Sequence, residues 1–322
     1  MNTRAIGGYF ELELPDRGGF LHDDGVLLNS GRNALEYVLR SLPAIKHLWI
    51  PYYTCEVVLE PVKKLDIPFS FYHINDKLEI GQPIDLEAGD YLLYTNYFGI
   101  KDAYVESLAS KYGIHLIVDN AQAWFTNPIP GTSTIYSPRK FVGVPDGGIA
   151  YCPFEIDLEQ FEQDYSYERF SHLLKRIDQG PEEGYQDFRE NSKSLINQPI
   201  RKMSKLTHRL LRSIDFEDIK YRRITNFRYL DDRLREMNSF NVPSLNTFAC
   251  PMVYPFYNSD TNQRSRLIYN RIFIATYWPH INEWIKDVSE EHRLSSCILP
   301  LPCDQRLTIE DLRNTAHHIK DD

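Results

Sequence analysis

Residues 114–124 read IHLIVDNAQAW, a short apolar run that ends in the acidic residue Asp119. The apolar part predicts a buried β-strand over Ile114–Val118. In open α/β sheets, ligands bind beyond the carboxyl ends of the strands. Asp119 therefore stands where a carboxylate can face a bound cofactor, although an isolated Asp after a strand can also simply cap the following turn.

Similar short strands alternate with amphipathic helices from residue 26 to about residue 151, which is typical of a mostly parallel sheet covered by helices. A helix is predicted over Ala34–Leu42. The other predicted strands are Val26–Leu28, Leu48–Ile50, Pro68–Tyr72, Tyr91–Thr95 and Gly148–Tyr151. We therefore expect an α/β protein whose large domain spans residues 1–154.

The rest of the chain predicts an insert with linking helices over residues 155–240 and a small α+β domain over residues 241–322. Within the insert, the polar segment QGPEEGYQDFREN (179–191) indicates a loop or a mobile insert, and residues 217–238 predict a helix that links the domains. In the small domain, RIFIATYWP (271–279) is typical of an apolar strand. The last helix should start near Thr308, with Asp311 completing its cap.

Composition excludes several classes of protein. The formal net charge of -9 over 322 residues leaves no basic field for nucleic acid. No signal-type segment opens the chain, and no run of about 18 apolar residues predicts a membrane span. The five cysteines form no CxxC pair, and neither His280 nor the pair His317–His318 has partners at metal-ligand spacing. We expect a cytoplasmic protein that binds no metal, nucleic acid or membrane.

A second motif, TSTIYSPRKFVGVPDGG (132–148), places Lys140 between a Ser/Thr cluster and a Pro-Asp-Gly-Gly turn. A lysine on such a tight loop can be desolvated and presented as the neutral amine that forms an imine. Ser137, three residues earlier, can bind a phosphate. Most lysines on loops are merely solvated, so the position of Lys140 carries this hypothesis and its residue type does not.

A third motif, LLNSGRNALEYVL (27–39), is a strand followed by a Ser-Gly turn and a helix. Free N–H groups and the positive end of the helix dipole favour an anion at such a turn. Arg32 adds a charge-assisted donor. The same residues are equally consistent with an ordinary helix start in which Asn29 or Ser30 is the cap.

Together these motifs resemble the DegT/StrS-like sugar aminotransferases, fold-type I enzymes that use pyridoxal 5′-phosphate (PLP). The segments that carry the resemblance are IGGYFELEL (6–14), SGRNAL (30–35), PYYTCEVV (51–58), YTNYFG (94–99), VDNAQAW (118–124), SPRKFVGVPDGG (137–148) and ILPLPCDQRLTIEDL (298–312). The resemblance implies that Lys140 forms the Schiff base with PLP, that Asp119 binds the ring nitrogen and that Gln122 contacts the 3-hydroxyl.

The resemblance also implies a phosphate cradle formed by Gly31, Arg32 and Ser137. Arg32 stands where the family commonly has Thr. Tyr53 or Cys55 falls where the family often has an aromatic residue beside the ring; if it is Cys55, stacking must come from Tyr53 or from elsewhere. The Gly-Tyr-Asn segment by which many members reach the cofactor of the partner subunit is missing.

The implied activity is transfer of an amino group from an amino acid, L-glutamate, to a keto sugar, nucleotide-linked, in surface polysaccharide or amino-sugar biosynthesis by a homodimer. Local basic groups such as Arg139, Arg201 or Arg222 would have to bind a diphosphate, and Tyr277 and Trp278 either line the substrate cleft or belong to the core. Two alternatives remain open: a PLP-dependent lyase or dehydratase on a related sugar, and a non-catalytic relative that binds a sugar nucleotide.

Overall fold

The computed structural model describes residues 6–260 and 262–320. Seven strands form the main sheet: β1 Val26–Leu28, β2 His47–Pro51, β3 Phe69–Tyr72, β4 Asp90–Thr95, β5 Leu116–Asp119, β6 Ser133–Tyr136 and β7 Gly148–Tyr151. Their order is β1-β7-β6-β5-β4-β2-β3. Neighbouring strands are parallel from β6 to β3, and β7 is antiparallel to both β6 and β1. The expected α/β class with a mostly parallel sheet is confirmed.

Eleven helices are described: α1 Gly31–Ser41, α2 Leu59–Lys64, α3 Asp102–Tyr112, α4 Ser171–Asp178, α5 Pro181–Ser194, α6 Lys205–Ser213, α7 Phe216–Leu234, α8 Gln263–Tyr269, α9 Ile281–Trp284, α10 Glu290–Cys297 and α11 Ile309–Lys320. The main sheet is buried on both faces. Leu92 and Tyr94 of β4 pack into one core, whereas Tyr91 and Leu93 pack into the other. Successive residues of a strand point to opposite faces, so a strand that is covered on both faces, such as β4, can be buried along its whole length.

Strand directions bring the sequence motifs to one edge of the sheet. Because β1 and β6 are both antiparallel to β7, they run in the same direction as β5. The carboxyl ends of β1, β5 and β6 and the amino end of β7 therefore lie at the same edge. The chain leaves these strands at Ser30, Asp119 and Ser137 and enters β7 at Gly148.

The prediction of a loop over residues 179–191 was wrong, because α5 covers almost all of this segment. Its start carries ordinary helix signals: Gly180 has φ 105°, Pro181 is the first helical residue, and Glu182 and Glu183 lie in the first turn. The helix was missed because the segment contains few apolar residues. The strand β6 was also missed, since its Ser and Thr residues were taken for part of a loop.

A second sheet pairs β8 Val253–Tyr257 with β9 Ile298–Pro302 in antiparallel fashion. The predicted strand over residues 271–279 was wrong, because no strand is described there. Apolar side chains of that segment, Phe273, Ile274 and Tyr277, line a cleft instead. The predicted cap of the last helix is confirmed: the Asp311 carboxylate accepts the Thr308 N–H at 2.8 Å, and Thr308 Oγ1 accepts the Asp311 N–H at 3.2 Å.

The linking helix α7 ends four residues before the predicted end, and the chain continues as a short 3₁₀ turn over Arg235–Met237. The domain boundaries at residues 154 and 240 remain a prediction. Within the described ranges, none of the helices combines the length and the apolar character needed to span a bilayer.

Candidate active site

A cavity of about 270 Å³ lies at the edge of the sheet where β1, β5 and β6 end. Five of the predicted site residues line it: Gly31, Arg32, Asp119, Ser137 and Lys140. They come from three separate segments, so their meeting is a result of the fold and was not imposed by sequence proximity. Two further predicted residues, Tyr53 and Gln122, do not line the cavity.

The amino end of α1 forms one wall. Ser30 is the N-cap, and its hydroxyl accepts the Asn33 N–H at 3.1 Å. A Cβ atom on Gly31 would lie 3.2 Å from Ser137 Cβ, a tight contact, so glycine favours the close approach of the helix start to the residue that follows β6. The cavity is therefore bordered by a helix N-terminus and a Ser hydroxyl, both of which suit an anion.

Asp119 forms the floor of the cavity at the end of β5. It is buried, and its Oδ1 accepts the Ala121 N–H at 2.8 Å. Burial raises the pKa of the Asp119 carboxyl, while the Ala121 N–H and the charge of Lys140 act in the opposite direction. Asp119 thus caps the turn with one oxygen and still borders the cavity, so the two interpretations of this residue are compatible.

Lys140 ends the short 3₁₀ turn Pro138–Lys140 that follows β6. Its Nζ lies 5.8 Å from the centre of the Tyr277 ring. The expected desolvation is not found, because the side chain is exposed in the single chain. This exposure is consistent with its place on a turn that borders two cavities.

Gln122 is buried and is not among the residues that line the cavity. Its Oε1 accepts the Phe98 N–H at 2.8 Å, and its buried Nε2 has no hydrogen-bond partner among the described residues. A carbonyl held by the backbone leaves the amide nitrogen as the group free to donate. The implied contact of Gln122 with a cofactor hydroxyl stays a prediction.

Of the two residues at the aromatic position of the motif, Tyr53 and Cys55, only Cys55 borders the cavity. Cys55 lines the cavity, but Tyr53 is fully buried next to Trp278, with ring centres 4.9 Å apart. The aromatic residue that does line the cavity is Phe188 of α5. Phe188 was missed because its segment was predicted to be a loop.

Two other residues of this wall, Ser192 of α5 and Leu195 just beyond it, were also missed, because no helix was predicted there. Arg139 also lines the cavity, although the sequence connected it only with a substrate diphosphate. Helix α5 thus closes one side of the cavity. The sequence signal available for Arg139 was its position next to Lys140.

A second cleft of about 760 Å³ shares Arg139, Lys140 and Phe188 with the first cavity. Tyr277, Arg176 and Arg306 also line this cleft, which is bordered by residues of both strands of the small sheet. Trp278 is 7% exposed and belongs to the core. Arg201 and Arg222 line neither space and face carboxylates of Asp164 and Asp218. No group of three or more metal-ligating side chains gathers within the described ranges.

No model of a protein family matches the chain, and no curated protein is similar enough in sequence to be recognised as a relative. Solved structures do match. DesV from S. venezuelae, in complex with a ketimine intermediate, is 15% identical with a TM-score of 0.63, covering 92% of this chain and 84% of that chain. A DegT DnrJ EryC1 StrS aminotransferase from Brucella abortus is 15% identical with a TM-score of 0.60 and the same coverage of 92% and 84%.

A third match is NtdA from Bacillus subtilis with bound cofactor PMP, which is 14% identical with a TM-score of 0.61 over 91% of this chain and 72% of that chain. At this level of identity the likeness concerns the fold. The chain therefore has the fold of the sugar aminotransferases, fold type I of the PLP-dependent enzymes, as its sequence motifs led us to expect.

Proposed function

We propose that this protein is a PLP-dependent aminotransferase that transfers an amino group from L-glutamate to a nucleotide-linked keto sugar. The observation that carries the proposal is the meeting of Asp119, Lys140 and an anion-binding turn around one cavity. This arrangement lies at the carboxyl edge of a sheet whose fold is shared with solved sugar aminotransferases.

The residues around the cavity fit PLP. The helix start at Gly31 and the hydroxyl of Ser137 are packed as a cradle that a Cβ on Gly31 would crowd. A buried carboxylate, Asp119, lies on the floor, and an amine, Lys140, lies on the wall. PLP carries a phosphate, a basic ring nitrogen and an aldehyde, which these three kinds of group would bind.

When bound, PLP supplies a conjugated ring that takes up electrons from the donor Cα–H bond. The Asp119 carboxylate would keep a proton on the ring nitrogen, because a negative charge in a buried site favours the protonated pyridinium. The Lys140 Nζ would remove the Cα proton of the donor and return a proton in the second half of the reaction. Phe188 and Leu195 of the far wall would exclude water.

The second cleft is the proposed place of the acceptor, because it opens from Lys140 and is large enough for more than a cofactor. Arg176 at its wall gives positive charge in a chain whose net charge is -9, whereas the charge of Arg306 is paired with Asp304 in the same cleft. A diphosphate would find its local attraction there. We further propose a homodimer, by analogy with the fold.

Spectroscopy of the purified protein tests this function. Adding PLP should produce a visible absorption band, L-glutamate alone should bleach it, and a keto sugar nucleotide should then restore it, as expected for two half-reactions at one site. Lys140→Met is the control that should not complete the cycle. If amino acids leave the band unchanged while a sugar nucleotide perturbs it, the chain is a lyase or a binding protein.

A further inference from the structure

Arg139, like Lys140, lines the cavity and forms no ion pair with another described residue. The guanidinium donates to Ser192 Oγ at 3.3 Å, and its Cζ lies 5.7 Å from the centre of the Phe188 ring. No carboxylate of the described residues lies within ion-pairing distance of it. Both of these contacts are with residues of α5, which orient the guanidinium along the wall.

The surroundings of Arg139 make this isolation costly. Burial, helped by the charges of Arg32 and Arg169, lowers the pKa of Arg139 to about 10, whereas the charge of Asp146 acts in the opposite direction. Asp146 is already occupied, because it accepts hydrogen bonds from Arg169 and Ser166. A partly buried cation without a partner is unfavourable for folding and is typical of a functional site.

Arg32, the arginine that the sequence motif favours, is in the opposite situation. Its Nε lies 3.1 Å from Glu60 Oε2, and the other Glu60 oxygen accepts the Asn197 N–H at 2.7 Å. The charge of Arg32 is therefore compensated within the chain. An anion that binds Arg32 would have to compete with Glu60, whereas an anion that binds Arg139 would not.

We propose that Arg139, held by Ser192, is the main cation for the phosphate of PLP, and that Arg32 is secondary to it. This inference rests on the proposed function. The N-terminus of α1 and Ser137 border the same cavity and supply neutral donors, so a dianion there would otherwise lack a full positive charge of its own. A bidentate guanidinium suits phosphate geometry.

Binding of PLP and of pyridoxal, which lacks the phosphate, tests the inference without measuring activity. Cofactor-free protein is titrated with each compound, and quenching of tryptophan fluorescence gives the two dissociation constants. Arg139→Met should weaken PLP binding about 10- to 100-fold and leave pyridoxal binding within about threefold of wild type. Arg32→Met should cost less. Arg313→Met, which removes an exposed arginine of α11, is the matched control with no effect on either ligand.

Two results are distinguishable. If the wild type does not bind PLP, the proposed function fails; if it prefers PLP over pyridoxal and folded Arg139→Met keeps the same preference, the role of Arg139 is wrong. Should Arg139→Met not fold by circular dichroism, Arg139→Lys decides the matter. Lysine keeps the charge but cannot form paired hydrogen bonds to a phosphate, so Arg139→Lys must weaken the binding of PLP more than the binding of pyridoxal. An equal effect on the two dissociation constants overturns the inference.

Discussion

Replacing Asp119 by Asn should separate the chemistry of this carboxylate from its part in the fold. Its Oδ1 accepts the Ala121 N–H at 2.8 Å, and an Asn oxygen can accept the same bond. Burial raises the pKa of the Asp119 carboxyl above the ordinary 3.8. A carboxyl whose pKa is raised by folding destabilises the folded state as the pH rises through 3.8, since the folded form then retains protons that the unfolded form has lost. At pH 7 the cofactor-free Asn variant should therefore be at least as stable as the wild type.

Activity should change in the opposite direction. Two unit charges about 4 Å apart, at an effective dielectric constant of about 20, attract each other by about 4 kcal/mol. An amide cannot give this energy to a protonated ring nitrogen, and each ~1.36 kcal/mol of barrier is a factor of ten in rate. We expect the half-reaction with L-glutamate to slow by about 1000-fold.

The assay combines urea unfolding of the cofactor-free protein with single-turnover measurement of glutamate bleaching. Asp90→Asn is the matched control, because Asp90 is also a buried strand carboxylate but accepts N–H bonds from Glu87 and Trp49 at the amino end of β4. It should leave the half-reaction unchanged. A near wild-type rate for Asp119→Asn would refute the proposed role, and marked destabilisation would show that the negative charge itself supports the fold.

Three other predictions concern the fold and assembly. A Cβ on Gly148 would lie 2.1 Å from the Ser30 carbonyl oxygen, so Gly148→Ala should lower the free energy of unfolding by roughly 3 kcal/mol or more. In the control Gly143→Ala the nearest neighbour of the new Cβ would be 3.8 Å away, and the free energy of unfolding should change by less than about 1 kcal/mol. Equal losses for the two variants in urea unfolding would contradict this prediction. Burial lowers the pKa of His22 from 6.5 to about 4, so the wild type should lose roughly 3 kcal/mol of stability as the pH falls through this range. His22→Gln should lose less stability between pH 7 and 5, and the same dependence of stability on pH in both proteins would argue against this prediction. Light scattering should give about twice 37.8 kDa for a homodimer, and a monomer that binds PLP tightly would contradict the assembly.

The edge of the sheet could be predicted because its signals are local. The apolar run before Asp119 and the Ser-Gly turn before α1 each indicate a strand that ends where a ligand can bind. Once parallel pairing is assumed, these ends must lie together. This reasoning needs only the pattern of each segment and the direction of the strands.

The wall formed by α5 and the isolation of Arg139 could not be predicted in this way. Phe188 and Ser192 lie on a mostly polar helix, and only tertiary packing brings them to the cavity. Whether Arg139 is paired depends on where Asp146 points, and that carboxylate is taken by Arg169, which lies 23 residues further along the chain. The orientation of Gln122 likewise depends on the Phe98 N–H of another loop.

The central claim is that Lys140 carries the cofactor. The protein is incubated with PLP, reduced with borohydride, digested, and the modified lysine is located by mass spectrometry. We predict a single phosphopyridoxyl group on the peptide that contains Lys140, its loss in Lys140→Arg, and its retention in Lys202→Arg, a lysine that lies outside the cavity and pairs with Glu159. Modification of another lysine in its place, or a full yield of adduct in Lys140→Arg, would contradict the account.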